Sequence, residues 1–359
     1  MNRTALPRLA CPFNQSLDSE ELKIYNLRKI SYGAIMPIIC LCGIVGNSLN
    51  LVVLTRRNMQ GMAYAYMRGY SLASLLALLF CIPFASRILG SQDENGYWTS
   101  WPRAFYHAHL ELYLGNSCLG IAVSMLSALT VERHARLCCE PPQAGAAAST
   151  RRCNKNASPL TRPVSSRLLL ACLPLATLIL HLPLVFRARV DSCYFANDAD
   201  AYAAATLYYW KNDNLSSRQL NYFQLYRVVL EIAYKLAPTV LIVSMNLRIF
   251  LVYKRAYERR LKLTVRGAKS AENRRLGLFL GTTSLLFLVC VSPMAILQVT
   301  LNKHNLLCFP YQVLVFRATA NLLEVANYAL SFYINCLFSR DFRDTLVRTL
   351  KSCHRVQQT

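Results

Sequence analysis

The sequence predicts an all-α fold, a seven-transmembrane helix bundle followed by an amphipathic eighth helix. Three observations carry this. Hydrophobic residues make up 54% of the chain and charged residues only 16%, where soluble domains carry about a quarter. The apolar residues gather into seven runs, each close to the length of about 20 helical residues that a bilayer core of about 30 Å requires. The basic residues gather into short clusters between those runs. The net charge of +22 therefore reads as membrane topology, and no nucleic-acid partner is expected.

Residues 1–30 contain no continuous apolar core and no cleavable signal pattern. They are expected to form an extracellular segment, with the first span as insertion signal. The transmembrane domain is expected over 31–338. Its spans fall at about 31–54, 69–89, 105–131, 168–186, 223–252, 276–301 and 311–338. Residues 339–359 form a juxtamembrane helix and cytoplasmic tail. There DFRDTLVRTLKSC is too charged to span, yet Phe342, Leu346, Val347 and Leu350 recur at helical spacing. That pattern suits a helix lying along the lipid surface, with Cys353 as a palmitoylation site. The stretch 140–166 is rich in Pro, Ala, Ser and basic residues and reads as a solvated connector.

Basic pairs such as Arg56–Arg57, Arg151–Arg152, Lys254–Arg255, Arg259–Arg260 and Arg274–Arg275, with the tail's Arg340, Arg343, Arg348 and Lys351, place the C-terminus inside and the N-terminus outside. The localisation expected is a multi-pass protein of the plasma membrane. Asn2, Asn14 and Asn214 head sequons on the outer side and are expected glycosylation sites. Of the fourteen cysteines, most lie inside apolar runs as small hydrophobes. No zinc-like spacing appears, and no cofactor or metal is expected. No phosphate loop, GxSxG or HExxH occurs, so an enzyme is not expected. His107 and His109 flank Ala108 without a third ligand.

Several landmarks occur together in order. GNSLN (46–50) lies in the first span and TVERH (130–134) closes the third. Pro238 lies in the fifth span, Phe287 and Pro293 in FLVCVSP of the sixth, and NYALSFYINCLFSRDFR from Asn327 at the end of the seventh. Over roughly 31–350 the chain resembles the rhodopsin-like (class A) G-protein-coupled receptors. CLFSRDFR, Phe332 and Asn246 resemble the FMRFamide-type invertebrate neuropeptide receptors in particular. The resemblance implies a receptor for an extracellular ligand, a neuropeptide, that signals to a heterotrimeric G protein. Glu132, Arg133 and His134 would form the coupling site. Arg suits it because its charged planar fork can exchange hydrogen-bond partners. Asn47, Pro238, Phe287, Pro293 and Asn327 would be the moving parts.

The chain also departs from that family. Ser74, Ala122 and Ser331 stand where oxygen ligands for sodium are usual, so no sodium site is expected. Asn335 replaces a tyrosine, Val291 a tryptophan and Asn273 an acid that would lock Arg133. Ala108 replaces the cysteine that would pair with Cys193. Cys11 and Cys308 are the other outer cysteines, and either could pair with Cys193 or with the other.

Ionisable residues within the spans are expected to face a wet cavity or one another. Arg227, Glu231 and Lys235 recur every four residues on one helix face. With Glu111, Arg317 and Glu324 they would make a ligand pocket of mixed sign, to which Tyr113, Asn116, Gln298 and Asn321 add neutral groups. Alternatively they pair internally, Arg227 with Glu231 for example. Gly115 and Val325 argue against an amine or retinal ligand. A peptide with a basic residue and an amidated end is compatible with Glu111 and Glu324. Two other readings stay open: a receptor-like protein without efficient coupling, motivated by Ser74, Val291, Ser331 and Asn335, and a transporter.

Overall fold

The computed structural model describes residues 19–90, 98–135, 163–195, 205–211, 216–262, 269–300 and 310–356. Helix α1 runs over Ser19–Leu54, α2 over Met62–Gly90 and α3 over Trp101–His134. Helix α4 covers Pro163–His181 and tightens into a 3-10 turn over Leu182–Phe186. Strands β1 (Arg189–Phe195) and β2 (Ala205–Lys211) follow as an antiparallel pair. Helix α5 comprises Ser217–Glu231, a π-turn over Ile232–Leu236, and Ala237–Lys262. Helix α6 is Lys269–Thr300. Helix α7 comprises Tyr311–Ala329 and, after a turn at Leu330, Ser331–Phe338. Helix α8 is Arg340–Val356.

Helices α1 to α7 form a seven-helix transmembrane bundle. By length and composition α1 to α5 each suffice to cross a membrane, and Leu285–Thr300 supplies the described apolar stretch of α6. The packing inverts that of a soluble protein. Ile38, Ile179 and Val240 are 63%, 68% and 69% exposed, while Asn47, Asn50, Ser74 and Ser117 are fully buried. Lipid is the solvent that favours apolar groups outside and paired polar groups within.

Ala73, Ala122, Val123, Ile242, Phe287, Val291 and Tyr328 join α2, α3, α5, α6 and α7 in a central cluster. Proline positions explain two irregular turns. A helical proline lacks an N–H and crowds the carbonyl four residues before it. The π-turn Ile232–Leu236 precedes Pro238, and a second, Lys29–Ile35, precedes Pro37. The wider turns absorb both problems.

Several features differ from the sequence expectation. The first helix begins at Ser19 and not near residue 31. The polar turns of Ser19–Arg28 continue the α1 axis beyond the apolar run, and hydropathy does not register them. The β1–β2 hairpin is an addition to the all-α expectation. Trp98 extends it through bonds of 2.9 and 2.8 Å to Tyr208. Such pairing is non-local and carries no helix-period signal. Helix α8 turns Phe342 and Leu346 into a cluster with Val53, Leu54 and Met59, leaving Val347 and Leu350 exposed. Arg343 caps α7 by donating to the Cys336 and Leu337 carbonyls, each at 2.8 Å.

Candidate functional site

Polar side chains inside the bundle fall into two regions, one toward the hairpin and one toward α8. At the hairpin end, Arg87 Nη2 of α2 donates to Glu111 Oε1 of α3 at 3.1 Å. His107, one turn before Glu111 in the π-turn Tyr106–Leu110, bonds the other carboxylate oxygen. Trp98 stacks on that imidazole with ring centroids 4.9 Å apart. The Arg87 and Glu111 side chains are only 8% and 11% exposed, so their pairing offsets a real desolvation cost. His109 points elsewhere, with Nδ1 2.7 Å from the Val185 carbonyl oxygen.

Deeper in the bundle, Lys235 Nζ lies 3.0 Å from Glu231 and 2.9 Å from Glu324 of α7. With its amide turned to donate, Gln298 of α6 bonds the Glu231 carboxylate. One lysine thus serves two carboxylates and ties α5 to α7. The expected alternative pairing of Arg227 with Glu231 is corrected: Glu231 goes to Lys235 and Gln298. The reason is reach, because the Lys235 ammonium lies within 3.0 Å of Glu231 on its own helix and of Glu324 on α7 at once.

Of the remaining pocket candidates, Asn321 Nδ2 donates to Tyr32 Oη at 2.7 Å. The side chains of Tyr113, Asn116, Arg227 and Arg317 make no hydrogen bond or ion pair among the described residues, although Arg227 lies within electrostatic range of Glu231. Arg187, just past α4, lies within electrostatic range of Arg227, Glu111 and Arg87. Burial pushes its guanidinium down to about 10, with Arg227 adding to the effect, Glu111 opposing it and Arg87 adding further. It remains a cation at neutral pH.

At the α8 end, Glu132 is buried and Arg133 and His134 partly buried. Arg133 Nη2 donates to Met67 Sδ at 3.8 Å, and Tyr64 and Glu132 lie within electrostatic range. Met67, Tyr70, Leu126, Leu129, Phe287, Asn327 and Asn335 help line a small, partly open cavity beside it. Phe287 is fully buried, Asn327 nearly so, and Pro238 and Pro293 are half-buried within their helices.

A chain of side-chain bonds joins α1 to α7 there. Asn47 Nδ2 donates to the Gly43 and Tyr328 carbonyls at 2.9 and 3.0 Å. Ser331 Oγ donates to Asn47 Oδ1 at 3.0 Å, and Asn50 Nδ2 donates to Ser331 Oγ at 3.0 Å. Asn335 Nδ2 reaches Asn50 Oδ1 at 3.3 Å. Ser331 and Asn335, which counted as departures from the resembled family, are therefore built into this network.

Cys193 is fully buried and disulfide-bonded, whereas the other seven described cysteines are free. Cys11, Cys308, Asn2, Asn14 and Asn214 lie outside the described residues, as does the side chain of Cys353. The sequence reading did not single out Arg87, Arg187, Tyr32 or Asn50. Arg87 had a usable signal, since a cation at the edge of an apolar span calls for a carboxylate on a neighbour.

No protein-family pattern matches the chain. The chain is 28% identical over 329 residues to a Caenorhabditis elegans protein described as probable G-protein coupled receptor B0563.6, covering 89% of this chain and 69% of that one. It is 25% identical over 347 residues to a second from that organism, probable G-protein coupled receptor AH9.1, covering 92% and 77%. The chain is thus a multi-pass membrane protein similar, over most of its length, to proteins described as probable G-protein coupled receptors.

Proposed function

We propose that the chain is a class A G-protein-coupled receptor of the plasma membrane, with the hairpin end outside and the α8 end in the cytoplasm. A peptide ligand entering between Glu111, Tyr113, Asn116, Arg227, Arg317 and Glu324 would shift the bundle towards a state with an open α8 end. A heterotrimeric G protein would then contact Arg133. The observation that carries this reading is the placement of Arg133. It closes α3 beside the cavity at the α8 end, with its Nη2 3.8 Å from Met67 Sδ and with Tyr64 and Glu132 within electrostatic range. A guanidinium at this place keeps its charge and offers a planar fork suited to exchanging hydrogen-bond partners.

The test is expression of the full chain, confirmation of its surface location, and measurement of nucleotide exchange on G proteins against a neuropeptide library. Evoked exchange lost in Arg133→Ala, with surface expression retained, supports the proposal. A surface-expressed chain with neither basal nor evoked exchange would mark a receptor-like protein without coupling, and solute flux would mark a transporter.

A further inference from the structure

The Lys235–Glu324 contact sets α5 and α7 at a common height. Arg227 lies eight residues before Lys235, and Arg317 seven before Glu324. Both helices run from the hairpin end towards α8. At about 1.5 Å per residue, the two arginines stand about 11 Å further toward the hairpin, at the same level on both sides of the gap between the helices. Neither makes an ion pair or hydrogen bond among the described residues. Among charges, Arg227 meets the attraction of Glu231 first and then the repulsion of Arg317, and Arg227 and Arg187 repel each other. The nearby carboxylates are already engaged, Glu111 by Arg87 and His107, and Glu231 and Glu324 by Lys235.

We propose that the gap between α5 and α7 at the hairpin end binds an anionic group of the ligand, a carboxylate or sulfate, gripped by Arg227 and Arg317 with Arg187 behind them. Clustered like charges in a partly desolvated mouth are unfavourable until a counter-charge arrives. Guanidinium forks match the two oxygens of a carboxylate. A basic, amidated peptide would meet repulsion at this level, so the ligand class inferred is one with an acidic side chain or a free C-terminal carboxylate. This deepens the receptor reading and rests on it for the use of this end as the ligand entrance.

The test uses the purified full chain in phosphatidylcholine nanodiscs. Thermal unfolding is followed as citrate replaces chloride at constant ionic strength. It is also followed with a random hexapeptide pool synthesised in matched C-terminal acid and amide forms. The expected result is stabilisation by citrate and by the acid pool, with half-saturation at least about tenfold weaker in Arg227→Gln/Arg317→Gln, since charge-assisted bonds are lost. The unliganded double variant should melt no lower than the parent, because repulsion has been removed. If it fails to fold, the two single variants carry the comparison. Equal responses of parent and variants, including none in either, would overturn the proposal. So would selectivity for the amide pool, or a shift that appears only when phosphatidylglycerol is added to the disc, which would assign the arginines to lipid. Failure of the receptor reading is separable: nucleotide exchange would be absent while the anion-dependent shift persisted.

Discussion

Lys235 Nζ rests 2.9 Å from Glu324 Oε1, bridging α5 and α7 with both side chains about nine-tenths buried. The same ammonium lies 3.0 Å from Glu231. The lysine and its Glu324 partner are unequal in what their removal leaves behind. Glu324→Gln leaves Lys235 with Glu231, whereas Lys235→Met strands two carboxylates in the bundle. We expect Lys235→Met to destabilise the chain by about 3–5 kcal/mol, and Glu324→Gln by clearly less. Thermal unfolding of the two purified variants checks the order, and a larger loss from Glu324→Gln would refute it.

Asn47 holds two carbonyls and the Ser331 hydroxyl. Asn47→Ala leaves the Tyr328 carbonyl without this donor in a site that water does not reach freely. A loss of about 1–3 kcal/mol is expected. Asn335→Leu removes one longer bond and should cost less. Denaturation midpoints in detergent would rank the pair.

At Gly43, α1 lies close against α2 and α7. A Cβ there would lie 2.5 Å from Leu78 Cδ1 and 2.9 Å from the Ala329 Cα. Backbone cannot swing aside as a side chain can, so Gly43→Ala should cost about 1–3 kcal/mol. Gly90→Ala, with no atom of the described residues within 4 Å, is the matched control and should leave the melting temperature unchanged.

Cys193 sits in β1, opposite Leu207 of the hairpin, and its sulfur is oxidised. Cys193→Ser should lower stability by about 2–4 kcal/mol and reduce surface delivery. Cys42→Ser, at a free and exposed thiol, should do neither. Flow cytometry of tagged cells distinguishes these outcomes.

Much of the bundle was legible from hydropathy alone, because a bilayer imposes one length and one polarity on every span. The amphipathic helix after the bundle was readable for a different reason, the helical spacing of Phe342, Leu346, Val347 and Leu350. The polar turns preceding α1 and the hairpin were not, since neither carries an apolar period. Within the site, the sequence named Glu111, Glu231, Gln298, Arg317 and Glu324 as candidates through their depth in apolar runs.

By itself, then, the sequence determined a seven-helix membrane bundle and pointed to several of the ionisable residues drawn into it, though not to Arg87. Only the tertiary structure decided the partners. Glu111 went to Arg87 and His107, Glu231 and Glu324 to Lys235, and Asn47 to α7, while Arg227 and Arg317 make no ion pair among the described residues. The physical reason is that membrane insertion depends on the composition of one helix at a time. An ion pair depends instead on the rotation and height of two helices, which the packing of all seven sets together.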